Sequence, residues 1–211
     1  MKTNQTMMQE MLKLQNSMNN KVSPEWASMG WNWYRAIWLE SAEAVEQMPW
    51  KWWKHTTTDE SQVKMEIVDI WHFILSLAVE GCHEDELTDD IGDGSIGSPK
   101  LFMPNALIAN LESLAAAALS SDMSEVVLTF KDTLDSSGMD LAELYSLYIG
   151  KNVLNMFRQD NGYKKGTYRK LWNGVEDNKR LVEVMMNANP LAADYANDIY
   201  RGLEAAYKEV V

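Results

Sequence analysis

The chain has 211 residues, 46% of them apolar, and a net charge of −12. Its length allows one substantial domain with a real core, and its composition excludes a disordered or fibrous chain. The acidity disfavours nucleic acid and anionic membranes as partners, and the single cysteine, Cys82, excludes an intrachain disulfide.

The apolar positions follow a helical period from end to end. Met7, Met8, Met11, Leu14 and Met18 predict a helix over residues 5–20, stopped by Ser23 and Pro24. A second helix is expected over 31–48, ended by Pro49. A third should start at the capping pair Thr58–Asp59 and run to residue 80, with Gly81 as its C-terminal cap. Its most apolar part, residues 71–79, contains His72 and is far short of the ~20 residues that span a bilayer. Residues 84–104 hold Gly92, Gly94, Gly97, Pro99, Pro104 and many acids, the composition of a mobile connection. Helices follow over 105–119, 123–134 and 141–158. Residues 161–174, with three glycines, read as a loop, and helices over 177–188 and 191–208 complete the chain. No strand-like alternation persists. The expected fold is an all-α helical bundle: residues 1–80 and 139–211 form the core, and 81–138 an inserted, mobile helical segment. Residues 1–10 lack the layout of a secretory signal, and with one cysteine the chain is expected to be cytoplasmic.

Two carboxylate pairs stand out. Glu40 and Glu43 are three apart on the second helix, and Glu66 and Asp69 are three apart on the third. Residues at that spacing share a helix face, so two pairs on consecutive helices can meet across a bundle. Carboxylates gathered there would repel unless a cation neutralised them. An all-oxygen donor set in a chain with three histidines favours Mg²⁺ or Mn²⁺ over zinc or di-iron; His72 is read as a supporting or core residue. The other reading of such spacing is a solvated face with ordinary salt bridges. Basic charge is concentrated elsewhere: residues 151–170 hold six Lys and Arg against one acid, Asp160, a balance of +5. That pattern fits a small anionic ligand or a solvated patch.

A more specific signal comes from ordered blocks. Tyr148-Ile-Gly-Lys-Asn-Val-Leu-Asn-Met-Phe-Arg-Gln-Asp-Asn-Gly-Tyr163 closely resembles the signature of the dimeric, all-α dUTPases of some bacteria, phages and trypanosomatids. Met11-Leu-Lys-Leu-Gln15, Glu40-Ser-Ala-Glu43 with Trp50-Lys-Trp-Trp-Lys54, Glu66-Ile-Val-Asp-Ile-Trp-His-Phe73 and Trp172-Asn-Gly-Val-Glu-Asp-Asn178 match in the same order. The wider relatives are the all-α nucleoside triphosphate pyrophosphatases. The resemblance implies a dUTP diphosphatase, with dUDP a further candidate substrate, acting as a homodimer with Mg²⁺, or Mn²⁺ in its place. It implies that Glu40, Glu43, Glu66 and Asp69 bind the metal. Lys151, Asn155, Arg158 and Tyr163, helped by Lys164 and Arg169, would contact phosphates and sugar. Gln15 and Asn19 would read uracil beside a Trp53 wall, with Asn16 and Asn20 as alternatives. The expected reaction is attack of a metal-activated water on the α-phosphorus, Glu43 or Glu40 serving as base. Two rival readings are a pyrophosphatase for another base, such as that of dCTP, and a catalytically idle helical interaction module.

Overall fold

The computed structural model describes residues 2–55, 57–92, 101–190, 192 and 194–210. Helix α1 (Asn4–Val22) starts at Thr3, whose hydroxyl accepts from the Thr6 amide, and ends where Ser23 turns extended. A 3₁₀ turn at Trp26–Ser28 precedes α2 (Trp33–Glu46), which Asn32 caps by accepting from the Arg35 amide at 2.8 Å. The cap places the start of α2 two residues later than the apolar pattern predicts, because Asn32 outcompetes further helix for the orphan amides. Helix α3 (Glu60–Gly81) begins at Asp59 as expected.

The end of α3 corrects the expected glycine cap. The left-handed residue is Cys82, at φ 58°, and its amide reaches the Ala78 and Val79 carbonyls. Gly81 serves another purpose: a Cβ there would lie 2.7 Å from the His83 ring. Residues 84–92, expected as connection, form α4 (Glu84–Gly92). Three acids in its first turn suit the helix dipole, and Leu87 and Ile91, one turn apart, are buried. The other breakers of that stretch, Gly94, Gly97 and Pro99, lie outside the described residues. Helices α5 (Pro104–Leu119) and α6 (Met123–Ser137) follow, α5 opened by proline and α6 capped by Asp122 and closed by Gly138.

These helices belong to one compact unit, Lys2–Tyr145. Within it α3 is the central helix, packing on α1, α2, α4 and α6, while α2 also packs on α5 and α5 on α6. The core is tied together at Trp71 of α3. Its ring stacks on Phe130 of α6 at 5.0 Å between centroids, and its indole N–H donates to Met11 Sδ of α1 at 3.3 Å. At the end of α3, Glu80 accepts from the Trp33 indole at 3.0 Å.

Helix α7 (Leu141–Asp160) begins in this unit and continues into the second, Ser146–Val211. There, a 3₁₀ turn (Tyr163–Lys165) leads to a hairpin of β1 (Leu171–Trp172) and β2 (Val175–Glu176), then α8 (Asp177–Met186) and α9 (Tyr195–Lys208). The hairpin corrects the expectation of a plain loop. Leu171 pairs with Glu176 and Trp172 with Val175, across Asn173 and Gly174 at φ 52° and 79°. Asn-Gly is the sequence for a turn with two positive φ values. The last helix starts four residues after the expected position; Leu191, where it was expected, lies outside the described residues. Phe157 centres the unit's core, edge-on to Trp172, Tyr200 and Tyr207. Gly150 of α7 admits Met185 of α8, where a Cβ would meet its sulfur at 2.4 Å. Among the described residues no helix is long and apolar enough to cross a membrane. The nine helices and one minimal hairpin described make the chain all-α, as the periodicities predict.

Candidate active site

Helices α2 and α3 lie side by side, and three acids meet on their shared face. Glu40, Glu43 and Glu66 each offer a carboxylate oxygen within 4.8 Å of the other two. Glu66 is buried, Glu40 half-buried and Glu43 exposed, so the cluster grades from core to solvent. Asp69, one turn beyond Glu66 and half-buried, stands outside that triad. Three carboxylates this close repel one another. A divalent cation relieves that conflict. The donors are hard oxygens with no histidine or cysteine among them, the set that suits Mg²⁺ or Mn²⁺.

In the same unit a second polar group is buried between α1 and α3. The Gln15 amide N–H₂ donates to Asn19 Oδ1 and to Ser76 Oγ, both at 3.0 Å. The Asn19 amide N–H₂ donates to Ser76 Oγ at 2.9 Å, and Ser76 donates to the His72 carbonyl at 2.8 Å. Gln15 Oε1 stands 2.6 Å from His72 Nδ1. With the Gln15 amide nitrogen committed to Asn19 and Ser76, its oxygen is the acceptor, which assigns a ring proton to His72 Nδ1. The structure thus brings Gln15 and Asn19 together and adds Ser76 and His72. All four are buried, and buried amides that both donate and accept can discriminate a base edge. Asn16 and Asn20 face elsewhere: Asn16 Oδ1 accepts from Asn20 at 2.8 Å and from the Trp26 indole at 3.2 Å. Trp53 sits between α2 and α3 in sequence, exposed, edge-on to Trp50 and Trp52.

The second unit holds the cations. Lys151 is 2% exposed, and its ammonium donates to Asn178 Oδ1 at 2.9 Å. Arg158, two turns along α7, donates to both oxygens of Asp177: Nε to Oδ2 at 2.8 Å and Nη2 to Oδ1 at 2.9 Å. It also donates to Asn178 Oδ1 at 3.3 Å and Asn155 Oδ1 at 3.0 Å. The Tyr163 ring lies 6.0 Å from its guanidinium carbon. Lys151, Asn155, Arg158 and Tyr163 thus lie in one neighbourhood. Lys164 is exposed on the 3₁₀ turn. Arg169 is engaged otherwise: its guanidinium donates to the Val210 carbonyl at 2.8 Å.

Sequence reasoning assigned no role to Asp177, Asn178 or Tyr168. Asp177 is completely buried at the start of α8, and the Tyr168 hydroxyl donates to its Oδ2 at 2.8 Å. Burial pushes the Asp177 carboxyl up, but the Arg158 hydrogen bonds and charge outweigh it, helped by Tyr168, and hold it below the ordinary value. Burial and the adjacent Asp177 push the Tyr168 phenol well up, so it stays a neutral donor. The Asn173-Gly174 hairpin ends one residue before Asp177 and leads the chain directly into α8.

Two comparisons with known proteins bear on this geometry. The profile of the dUTPase family matches residues 7–163, more than half of the chain. The match takes in Gln15 and Asn19, all four carboxylates of the two pairs, and the segment from Lys151 to Tyr163. No curated protein matches the chain.

Proposed function

The chain belongs to the all-α dUTPase family and is a dUTP pyrophosphohydrolase; from that premise we propose that Glu40, Glu43 and Glu66 hold Mg²⁺, and that water cleaves dUTP at its α-phosphorus to dUMP and pyrophosphate. The observation that carries the reading is the convergence of three carboxylates from two adjacent helices within 4.8 Å. When bound, the divalent cation supplies the positive charge that offsets these carboxylates and polarises the phosphate oxygens. Mn²⁺ serves in its place, and Asp69 completes the ligand set.

The side chains divide the remaining work. Glu43 is the exposed member of the triad and the one a water reaches most easily; it orients that water and accepts its proton, with Glu40 as its partner. Buried Glu66 fixes the inner end of the cluster. Lys151 and Arg158 take the negative charge of the phosphates, Lys151 as a point charge and Arg158 as a planar fork. Asn155 and Tyr163 contact the sugar and phosphates, with Lys164 and Arg169 as outlying cations. Gln15 and Asn19 read the uracil edge, locked in place by Ser76 and His72, and Trp53 provides an aromatic wall. In this reading residues 1–80 and 139–211 carry the chemistry and 81–138 the insert. The enzyme works as a cytoplasmic homodimer on dUTP, with dUDP the further candidate substrate.

The test is product analysis. With Mg²⁺, each deoxynucleoside triphosphate is incubated separately and the products are resolved by anion exchange. Conversion of dUTP alone to dUMP and pyrophosphate is the expected result. Preferred turnover of dCTP would overturn the assignment of Gln15 and Asn19, and inert behaviour toward every nucleotide would favour an interaction module.

A further inference from the structure

The grip of α8 on the cations of α7 carries a role that the reaction scheme above does not use. We propose that Asp177, seconded by Asn178, is the positioning group of the phosphate-binding cations, setting the plane of the Arg158 guanidinium and the reach of the Lys151 ammonium. The inference rests on the reading of Lys151 and Arg158 as phosphate ligands.

The geometry is specific. Arg158 meets Asp177 through Nε and Nη2, so two parallel bonds fix both the position and the plane of the guanidinium. Asp177 is itself held: it is fully buried, its Oδ2 accepts from Tyr168 as well, and its amide donates to the Lys170 carbonyl at 3.0 Å. Its place in the first turn of α8 suits a negative charge. Asn178, the next residue, offers one oxygen to both Lys151 and Arg158, at 2.9 and 3.3 Å. Two cations on one helix are thereby held by adjacent residues of another. A flexible Lys and Arg would otherwise lose side-chain entropy on gripping phosphate; here that ordering is already in place before the ligand arrives.

A merely structural pair would staple α7 to α8 and change stability alone. A positioning pair changes KM through Arg158. The experiment is a double-mutant cycle with Arg158→Ala, Asp177→Asn and the double variant, following steady-state dUTP hydrolysis with Mg²⁺ and thermal melting of each protein. Arg158→Ala is expected to raise KM. Asp177→Asn is expected to raise KM about tenfold, the worth of a hydrogen bond to a charged group, with kcat within about threefold. In the Arg158→Ala background Asp177→Asn should then add nothing to KM. An unchanged KM in Asp177→Asn, while Arg158→Ala raises it, overturns the inference and leaves the phosphate reading intact. Additive effects in the double variant also overturn it. An unchanged KM in Arg158→Ala removes the phosphate reading itself and the inference with it. If Asp177→Asn does not fold, Asn178→Ala, at a half-buried position, takes its place: a raised KM supports the proposal and an unchanged one overturns it.

Discussion

Glu43→Gln is expected to lower kcat for dUTP by about 10³-fold, within the range for loss of a positioned general base, while the protein stays folded. Glutamine keeps the size and shape of the side chain but neither carries the negative charge nor accepts a proton. Glu43 is exposed, so the substitution disturbs no core packing. The change acts on the triad in two ways: it removes the base, and it replaces one of three carboxylates within 4.8 Å by an uncharged amide. Steady-state kinetics with a thermal melt as control decides the matter. Activity within threefold of the parent chain, in a protein that melts normally, would take Glu43 out of the reaction.

Trp71→Ala carries the largest expected effect on stability, about 3–5 kcal/mol for deletion of a buried large aromatic side chain. Trp71 is fully buried, stacks on Phe130 of α6, and donates to Met11 of α1. It therefore joins three helices of the first unit, including one from the 81–138 segment. Its position two residues after Asp69 and five after Glu66 means that loss of its packing also loosens the helix that carries the acids. Urea denaturation of parent and variant measures the difference. A loss below about 1 kcal/mol, the centre of the distribution for ordinary substitutions, would show that the stack contributes little to this core.

Much of this architecture was legible in the sequence because helices are local. The 3.6-residue period of Met7, Met11 and Met18 and the capping residue Asp59 each depend on neighbours within a few positions, and the structure follows them. The boundaries that moved did so for local reasons of another kind: Asn32 capped α2, and Cys82 took the left-handed turn that a glycine was expected to take. The i, i+3 spacing of the acids showed that each pair shares a face. It could not show which faces meet, and in the structure Glu40, Glu43 and Glu66 come within 4.8 Å of one another. Contacts between distant residues were the least legible. His72 is 57 positions from Gln15, and Asp177 is 19 from Arg158. Nothing in either local sequence announces the partner; packing of α1 on α3 and of α8 beside α7 makes the pairs.

In the proposed reaction the three acids of α2 and α3 serve dUTP hydrolysis through a divalent cation. The most direct measurement strips the protein with EDTA, adds dUTP, and follows dUMP and pyrophosphate as Mg²⁺ is titrated back. The expected result is no turnover in the stripped protein, full recovery with Mg²⁺, and no recovery for Glu66→Gln at Mg²⁺ concentrations that saturate the parent chain. Undiminished turnover in EDTA, or a Glu66→Gln variant that responds to Mg²⁺ as the parent does, would contradict it.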